Sequence, residues 1–258
     1  VIPDTVRIGS VPYLNAVPLT CGLEDRCAFL PPSTLAVELR SGRLDAALLS
    51  VTEALFDPGH PIVDGVAIAS DGPVASVFLA HQDPLDERLT EVHLDPASCT
   101  SVNLLRVLLA ARGLSPRFLP LAGYDPDRMP RNVLLIGDPA LRFALGPHAP
   151  SRQIWDLGAV WKDWTGLPFV YAVWAVREAA ATLDLAEGLR SAREQGLARL
   201  PDWVESRPEF TREFRRAYLG GHIRYGLSDA EKAGIERFRQ ALEIHLEPRR
   251  PTVVPRYF

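Results

Sequence analysis

The sequence predicts an α/β protein of two lobes with a ligand cleft between them, and three observations carry that expectation. Strand-like and helix-like segments alternate through the first third of the chain, a βαβ rhythm that implies parallel or mixed sheets flanked by helices. Residues 45–50 (DAALLS) and 133–136 (VLLI) are too uniformly apolar for strands with one wet face. A length of 258 residues suffices for one large domain or for two lobes.

The elements follow in order. Residues 6–9 read as a short strand, ended by a turn carrying Pro12 and Pro18. Ser33 is the expected N-cap of a helix over 34–40, with Gly42 as its stop. Strands follow at 45–50, 66–69 and 74–80. The polar stretch 81–87 opens a second unit, with a strand at 92–94. Ser98-Cys-Thr-Ser101 then starts a helix that carries Leu104, Leu105, Leu108 and Leu109 and ends at Gly113. A strand at 133–136 is closed by Gly137-Asp138-Pro139, and a strand at 169–176 mirrors the composition of 74–80. Helices are expected at 184–199, at 208–219, and from the capping-box pattern Ser228-Asp-Ala-Glu231 to about Leu246. The Pro-rich tail from Pro248 is expected on the surface. This organisation places lobe I at 1–82 and 173–258 and lobe II at 83–172, with strands near Ser76 and Tyr171 as the crossings. The cleft then gathers loops from the carboxyl ends of several strands.

Composition excludes several classes. An apolar fraction of 47% argues against disorder, and a net charge of −4 against a nucleic-acid or anionic-membrane partner. The arginines after Arg190 are interleaved with acids, as on a solvated helix surface. Cys21, Cys27 and Cys99 are too few and scattered for a disulfide framework or a zinc site. No apolar run approaches the roughly 18 residues of a membrane span, and residues 1–5 lack the pattern of a signal peptide, so a cytoplasmic location is expected. The dinucleotide fingerprint, the phosphate loop, H-E-x-x-H and the G-x-S-x-G elbow are all missing. The six histidines stand apart from one another and read as surface or structural residues.

What remains are neutral hydrogen-bonding groups. Ser98, Thr100 and Ser101 sit where a helix offers free N–H groups and its positive dipole end, a carboxylate site or an ordinary cap. Asn15 follows a Pro-Tyr-Leu turn and offers a donor and an acceptor, unless it serves only the turn. Ser50-Val-Thr-Glu53 ends a buried strand, so its hydroxyls face a cleft or cap the next helix. Gly137-Asp138 reads as a structural turn. Trp155, Trp161, Trp164, Tyr171 and Trp174 either wall an apolar pocket or pack the core.

Taken together, four segments resemble the chorismate dehydratase family of the futalosine route to menaquinone. They are Ile8-Gly-Ser-Val-Pro-Tyr-Leu-Asn-Ala-Val-Pro-Leu19, Asp95-Pro-Ala-Ser-Cys-Thr-Ser101, Leu135-Ile-Gly-Asp138, and Asp156-Leu-Gly through Trp164-Thr-Gly-Leu-Pro-Phe-Val-Tyr-Ala-Val-Trp174. Glu38-Leu-Arg-Ser-Gly-Arg-Leu-Asp45 is similar to the helix-to-strand step of type II periplasmic binding proteins, whose fold that family shares. The resemblance covers most of 7–175 and thins in the C-terminal helices. Val17 departs from it, standing where many relatives are expected to carry arginine.

The resemblance implies removal of water from chorismate to give 3-[(1-carboxyvinyl)oxy]benzoate, without a metal or other cofactor. It implies catalytic roles for Asn15 and Ser76. Asn15, with Ser10 nearby, would bond the reacting hydroxyl or the developing charge. Ser98, Thr100 and Ser101 would hold a carboxylate, and Ser50 and Ser76 would orient the other side of the ligand. Tyr13, Gly137 and Asp138 would complete the binding set, and Tyr171 with the tryptophans would exclude water. The base would be the substrate's own enolpyruvyl carboxylate, since Glu53 alone among glutamates and histidines falls in a recognised motif. The lobes would close over a small-molecule substrate, with a homodimer as the partner state left open. Two rivals share the fold: the 1,4-dihydroxy-6-naphthoate synthase of the same pathway, expected to use a histidine base, and a non-catalytic solute-binding protein for a small anion.

Overall fold

The computed structural model describes residues 2–246 and 251–258. The chain forms two five-stranded mixed sheets, one in each lobe. Strands β1 (Ile8–Ser10), β2 (Cys27–Phe29), β3 (Ala46–Ser50) and β4 (Ile62–Ser70) belong to the first sheet. Strands β5 (Val77–His81), β6 (Glu91–Leu94), β7 (Arg117–Pro120), β8 (Asn132–Ile136) and β9 (Gln153–Asp156) make the second, and β10 (Phe169–Val176) returns to the first. The strand orders are β2-β1-β3-β10-β4 and β7-β6-β8-β5-β9.

The two sheets repeat one plan. β1 runs parallel to β2 and β3, while β10 lies antiparallel between β3 and β4. β6 likewise runs parallel to β7 and β8, with β5 antiparallel between β8 and β9. In each sheet the antiparallel strand is the one the chain enters just after crossing between lobes. The crossings are therefore residues 71–76 and 157–168. This corrects the expected lobe limits: Val77–His81 stand in the second sheet, and residues 169–172 already pair in the first. Both misplaced segments are apolar runs that read alike in either sheet, because composition records burial and not pairing partner.

β3, β5 and β8 are buried along their whole length, as expected of central strands covered on both faces. One continuous apolar core runs through both lobes, from Ile8 and Leu48 to Leu134 and Trp161. A smaller cluster around Phe78, Leu135 and Phe143 lies apart from it. Short edge strands β2, β7 and β9 were not expected. Their three or four residues carry too little alternation to register. Helices Val51–Phe56, Gly137–Ala144 and Leu157–Thr165 were also missed. Pro139 reads as a breaker, yet it falls in the first turn of its helix, where a missing N–H costs nothing.

The C-terminal region is helical, as expected, over Leu183–Ala198, Arg212–Ala217 and Asp229–Leu246, with a further helix at Leu200–Ser206 and a π-turn at Tyr218–His222. The capping box forms, with the Ser228 N–H donating to Glu231 Oε2 at 3.0 Å. The tail expected from Pro248 begins outside the described residues. Where the chain is described again it is bound to the structure: the Ile62 N–H donates to the Arg256 carbonyl at 2.7 Å and the Phe258 N–H to the Ile62 carbonyl at 3.0 Å. These bonds cover the outer edge of β4, which would otherwise offer free pairing groups.

Candidate active site

A hollow of about 80 Å³ lies between the lobes, walled by loops at the carboxyl ends of β1, β3 and β8 and by the entry to β5. Of the residues expected to meet a ligand, Tyr13, Asn15, Ser50, Ser76, Ser98, Thr100, Ser101, Gly137 and Tyr171 all line it. The rest of the wall is mainly apolar, including Val11, Leu48, Ile68, Val74 and Ile136. None of its lining residues is Asp, Glu, Lys, Arg or His.

The upper wall is set by the turn after β1. Leu14 to Leu19 make a tight helical turn, and Asn15 stands at its start. The Leu14 N–H donates across the lobes to Asp138 Oδ1 at 3.1 Å. Beside it the Tyr13 ring lies against Gly137, where a Cβ would stand 3.3 Å from the ring carbons. Gly137 also has φ +59°, so this junction needs glycine twice over. Burial pushes the Tyr13 phenol up to about 12, with Asp95 and Asp138 adding to the effect. Burial raises Asp138 as well, partly offset by the Leu14 N–H.

The floor joins β3 to the helix Thr100–Ala110. The hydroxyls of Ser50 and Thr100 lie 2.5 Å apart across the lobes, and Thr100 Oγ1 also accepts the Thr52 N–H at 3.2 Å. Ser98 Oγ accepts the Ser101 N–H at 3.2 Å. Ser98 therefore caps one backbone donor of this turn, while Ser98, Cys99, Thr100 and Ser101 all line the hollow. Cys99 lies in the wall, its thiol pushed up to about 12 by burial and then by Glu53. Glu53 itself pairs with Arg40 at 2.7 Å and does not line the hollow.

Several buried polar atoms here have no hydrogen-bond partner: Asn15 Oδ1, Ser76 Oγ and, behind the wall, Ser10 Oγ. Buried polar groups are seldom left so. Tyr218, on the π-turn, is a neighbour that the sequence reading did not find. Burial raises its phenol, while Ser76 and Asn15 beside it pull the other way. It lies beyond the resembling segments and carries no motif, so no sequence signal marks it.

Other expectations are corrected. Ser10 and Asp138 do not line the hollow: Ser10 is wholly buried at the end of β1, and Asp138 Oδ1 accepts the Leu14 N–H. The tryptophans do not line it either. Trp161 packs edge-on against Phe169, Phe238 and Trp164, and Trp155 faces Arg112. Trp174 is fully buried. Tyr171 alone of that aromatic set reaches the wall, its hydroxyl 3.2 Å from Ser70 Oγ. Val17 stands outside the lining of the hollow.

Among the described residues no cluster of His, Cys, Asp and Glu suits a metal ion, and no helix is long and apolar enough to cross a membrane. Comparison with known proteins adds likenesses in sequence and in structure. The family model described as menaquinone biosynthesis matches residues 6–243. The chain is 33% identical to the chorismate dehydratase of Thermus thermophilus, covering 93% of this chain and 96% of that protein. It is 28% identical to the chorismate dehydratase of Campylobacter jejuni, covering 89% and 90%. In structure it is similar to an Archaeoglobus fulgidus protein, with TM-score 0.70 and 15% identity over 93% of this chain and 97% of the other. It is also similar to the alkanesulfonate-binding protein of Xanthomonas axonopodis, with TM-score 0.69 and 16% identity over 100% and 99%. At such identities the structural likeness shows the fold alone: two lobes of the kind used by periplasmic binding proteins.

Proposed function

The chain belongs to the menaquinone biosynthesis family, and we propose that within it this protein is a chorismate dehydratase, a hydro-lyase that converts chorismate to 3-[(1-carboxyvinyl)oxy]benzoate. The observation that carries the reading is the inter-lobe hollow, walled by hydroxyls, one carboxamide and a helix start, with no charged side chain in its lining. That donor set suits a small dianion undergoing elimination. It is a poor match for the naphthoate-forming rival, whose expected histidine base has no counterpart in the wall.

The chemistry asks little of the protein beyond placement. Chorismate loses the proton from ring C3 and the hydroxyl from C4; together these leave as water, and the ring becomes a benzoate. Aromatisation supplies most of the driving force. The first turn of the helix Thr100–Ala110 receives one substrate carboxylate, through backbone N–H groups and the Thr100 hydroxyl. Asn15 and Ser76, whose buried oxygens have no partner of their own, bond the departing hydroxyl and the charge that develops as the proton leaves. The enolpyruvyl carboxylate of the substrate takes that proton and passes it to the departing C4 oxygen, which leaves as water, so no protein base is required. Tyr171, Tyr218 and the apolar wall keep water away from the reacting ring. Three free thiols, Cys21, Cys27 and Cys99, fit a reducing cytoplasmic setting.

The test is incubation of the purified protein with chorismate, following aromatic absorbance and the product mass. The expected result is an aromatic product lighter than chorismate by one water. Chorismate recovered unchanged, under conditions where the protein is folded, would refute the reading.

A further inference from the structure

Ser76 stands next to a backbone conformation that its own residue types disfavour. Ala75 has φ +63°, in the left-handed region where a Cβ crowds the following carbonyl. Such strain persists only where surrounding bonds impose it. Those bonds converge on Asp156, 81 residues further along the chain. Its Oδ2 accepts the Ala75 N–H at 2.8 Å, and the Val74 N–H lies 3.1 Å from both of its oxygens. Its Oδ1 also accepts the N–H groups of Gly158 at 2.9 Å and Ala159 at 3.0 Å, capping the helix Leu157–Thr165. One carboxylate therefore pins both crossings between the lobes.

We infer that Asp156 is a positioning residue, whose carboxylate forces Ala75 into the left-handed conformation and thereby sets the Ser76 hydroxyl against the inter-lobe hollow. The consequence is local. Ser76 is wholly buried, its carbonyl accepts the Gly137 N–H at 2.8 Å, and its hydroxyl, beside the Tyr218 phenol, makes no close hydrogen bond. Its peptide is thus held from one side by β8 and from the other through Ala75 by Asp156. If Ala75 relaxed to a negative φ, the 74–76 backbone would turn and carry the hydroxyl off the wall. Oδ1 caps the helix and Oδ2 holds Ala75, with the Val74 N–H shared between them, which makes the role separable from simple helix capping.

This inference rests on the proposed contact between Ser76 and the substrate. The test compares wild type with Asp156→Asn, Ala75→Gly and the double variant. Asp156→Asn replaces one accepting oxygen by an amide, and the orientation that keeps Gly158 and Ala159 capped leaves that amide against the Ala75 N–H. Turnover of chorismate by Asp156→Asn is expected to fall about 10- to 100-fold in kcat with little change in KM, the loss typical of a misplaced catalytic group. Adding Ala75→Gly, which adopts the left-handed region without crowding, is expected to restore kcat to within about threefold of the Ala75→Gly single variant. A structural role would lower thermal stability without that rescue. Undiminished kcat in Asp156→Asn, or a loss that glycine at 75 leaves untouched, would overturn the inference. Wild type that fails to turn over chorismate refutes the proposed function instead. The crystal structure of Asp156→Asn then decides the backbone claim: a negative φ at Ala75 supports it and a retained positive φ overturns it.

Discussion

Removing the Thr100 hydroxyl should separate the hold on substrate from the hold between lobes. Thr100→Val keeps the shape of the side chain and deletes one oxygen. That oxygen lies 2.5 Å from Ser50 Oγ and accepts the Thr52 N–H at 3.2 Å. Its loss strands the Thr52 donor and the Ser50 hydroxyl inside the protein, at roughly 1–3 kcal/mol for each group left unpaired. In the proposed complex the same hydroxyl meets a carboxylate, and a hydrogen bond to a charged group is worth about 1.5–3 kcal/mol, or roughly 10- to 150-fold in affinity. Steady-state turnover of chorismate should therefore show KM raised by at least about tenfold, with kcat less affected, because the interaction exists before and during the elimination. Thr100→Ser, which keeps the oxygen, should recover most of the loss. A melting experiment on both variants reads the structural share separately. Thr100→Val with the KM of wild type would refute the assignment of a substrate carboxylate to this turn.

Three further outcomes are expected. Burial raises the Asp95 carboxyl although Tyr124 and Ala97 donate to it. The folded state therefore holds this proton more tightly than the unfolded chain does. The stabilisation is full below about pH 4, the unfolded range, and is lost as pH rises through the folded value. Melting of wild type against Asp95→Asn across that window should show the wild-type advantage shrinking with rising pH, and an advantage that grew would contradict it. Gly158→Ala should lower stability by about 1–3 kcal/mol in urea unfolding, since its Cβ would meet the Gly72 carbonyl at 2.5 Å and the Tyr171 hydroxyl at 2.7 Å; an unchanged midpoint would contradict that packing. The Cys99 thiol, moved from 9.0 to about 12, should carry a thiolate population lower by about a thousandfold at mildly alkaline pH, so alkylation of its peptide in the native protein should lag far behind that in denaturant. Comparable rates in the two states would show the thiol to be exposed.

Much of this fold is legible in the residues because burial writes itself into composition. β3, β8 and β10 are long apolar runs, and each was found within a residue or so of its observed limits. The edge strands β2 and β7 were not, because three or four half-exposed residues leave no periodic trace. The sheet change at residues 71–76 was also misjudged, since Val77–His81 is equally apolar whichever sheet receives it. At the candidate site, the residues that line the hollow sit in short motifs next to strand ends, where their polar character stands out. Asp138 shares such a motif but turns its carboxylate to Leu14. Tyr218 and Asp156 act through contacts formed only in three dimensions, so local sequence could not reveal what they touch. The tryptophans illustrate the opposite error: large aromatic groups near a site are conspicuous, yet Trp161 and Trp174 fill the core and Trp164 is exposed.

The central claim is that a small dianion is gripped between the lobes by neutral donors. A crystal structure of the protein with 3-[(1-carboxyvinyl)oxy]benzoate bound tests it most directly. The account predicts the ligand in the inter-lobe hollow, one carboxylate at the first turn of the helix Thr100–Ala110 and the aromatic ring within reach of Asn15 and Ser76. A ligand bound elsewhere, or one held in the hollow by an arginine, lysine or histidine side chain, would contradict it.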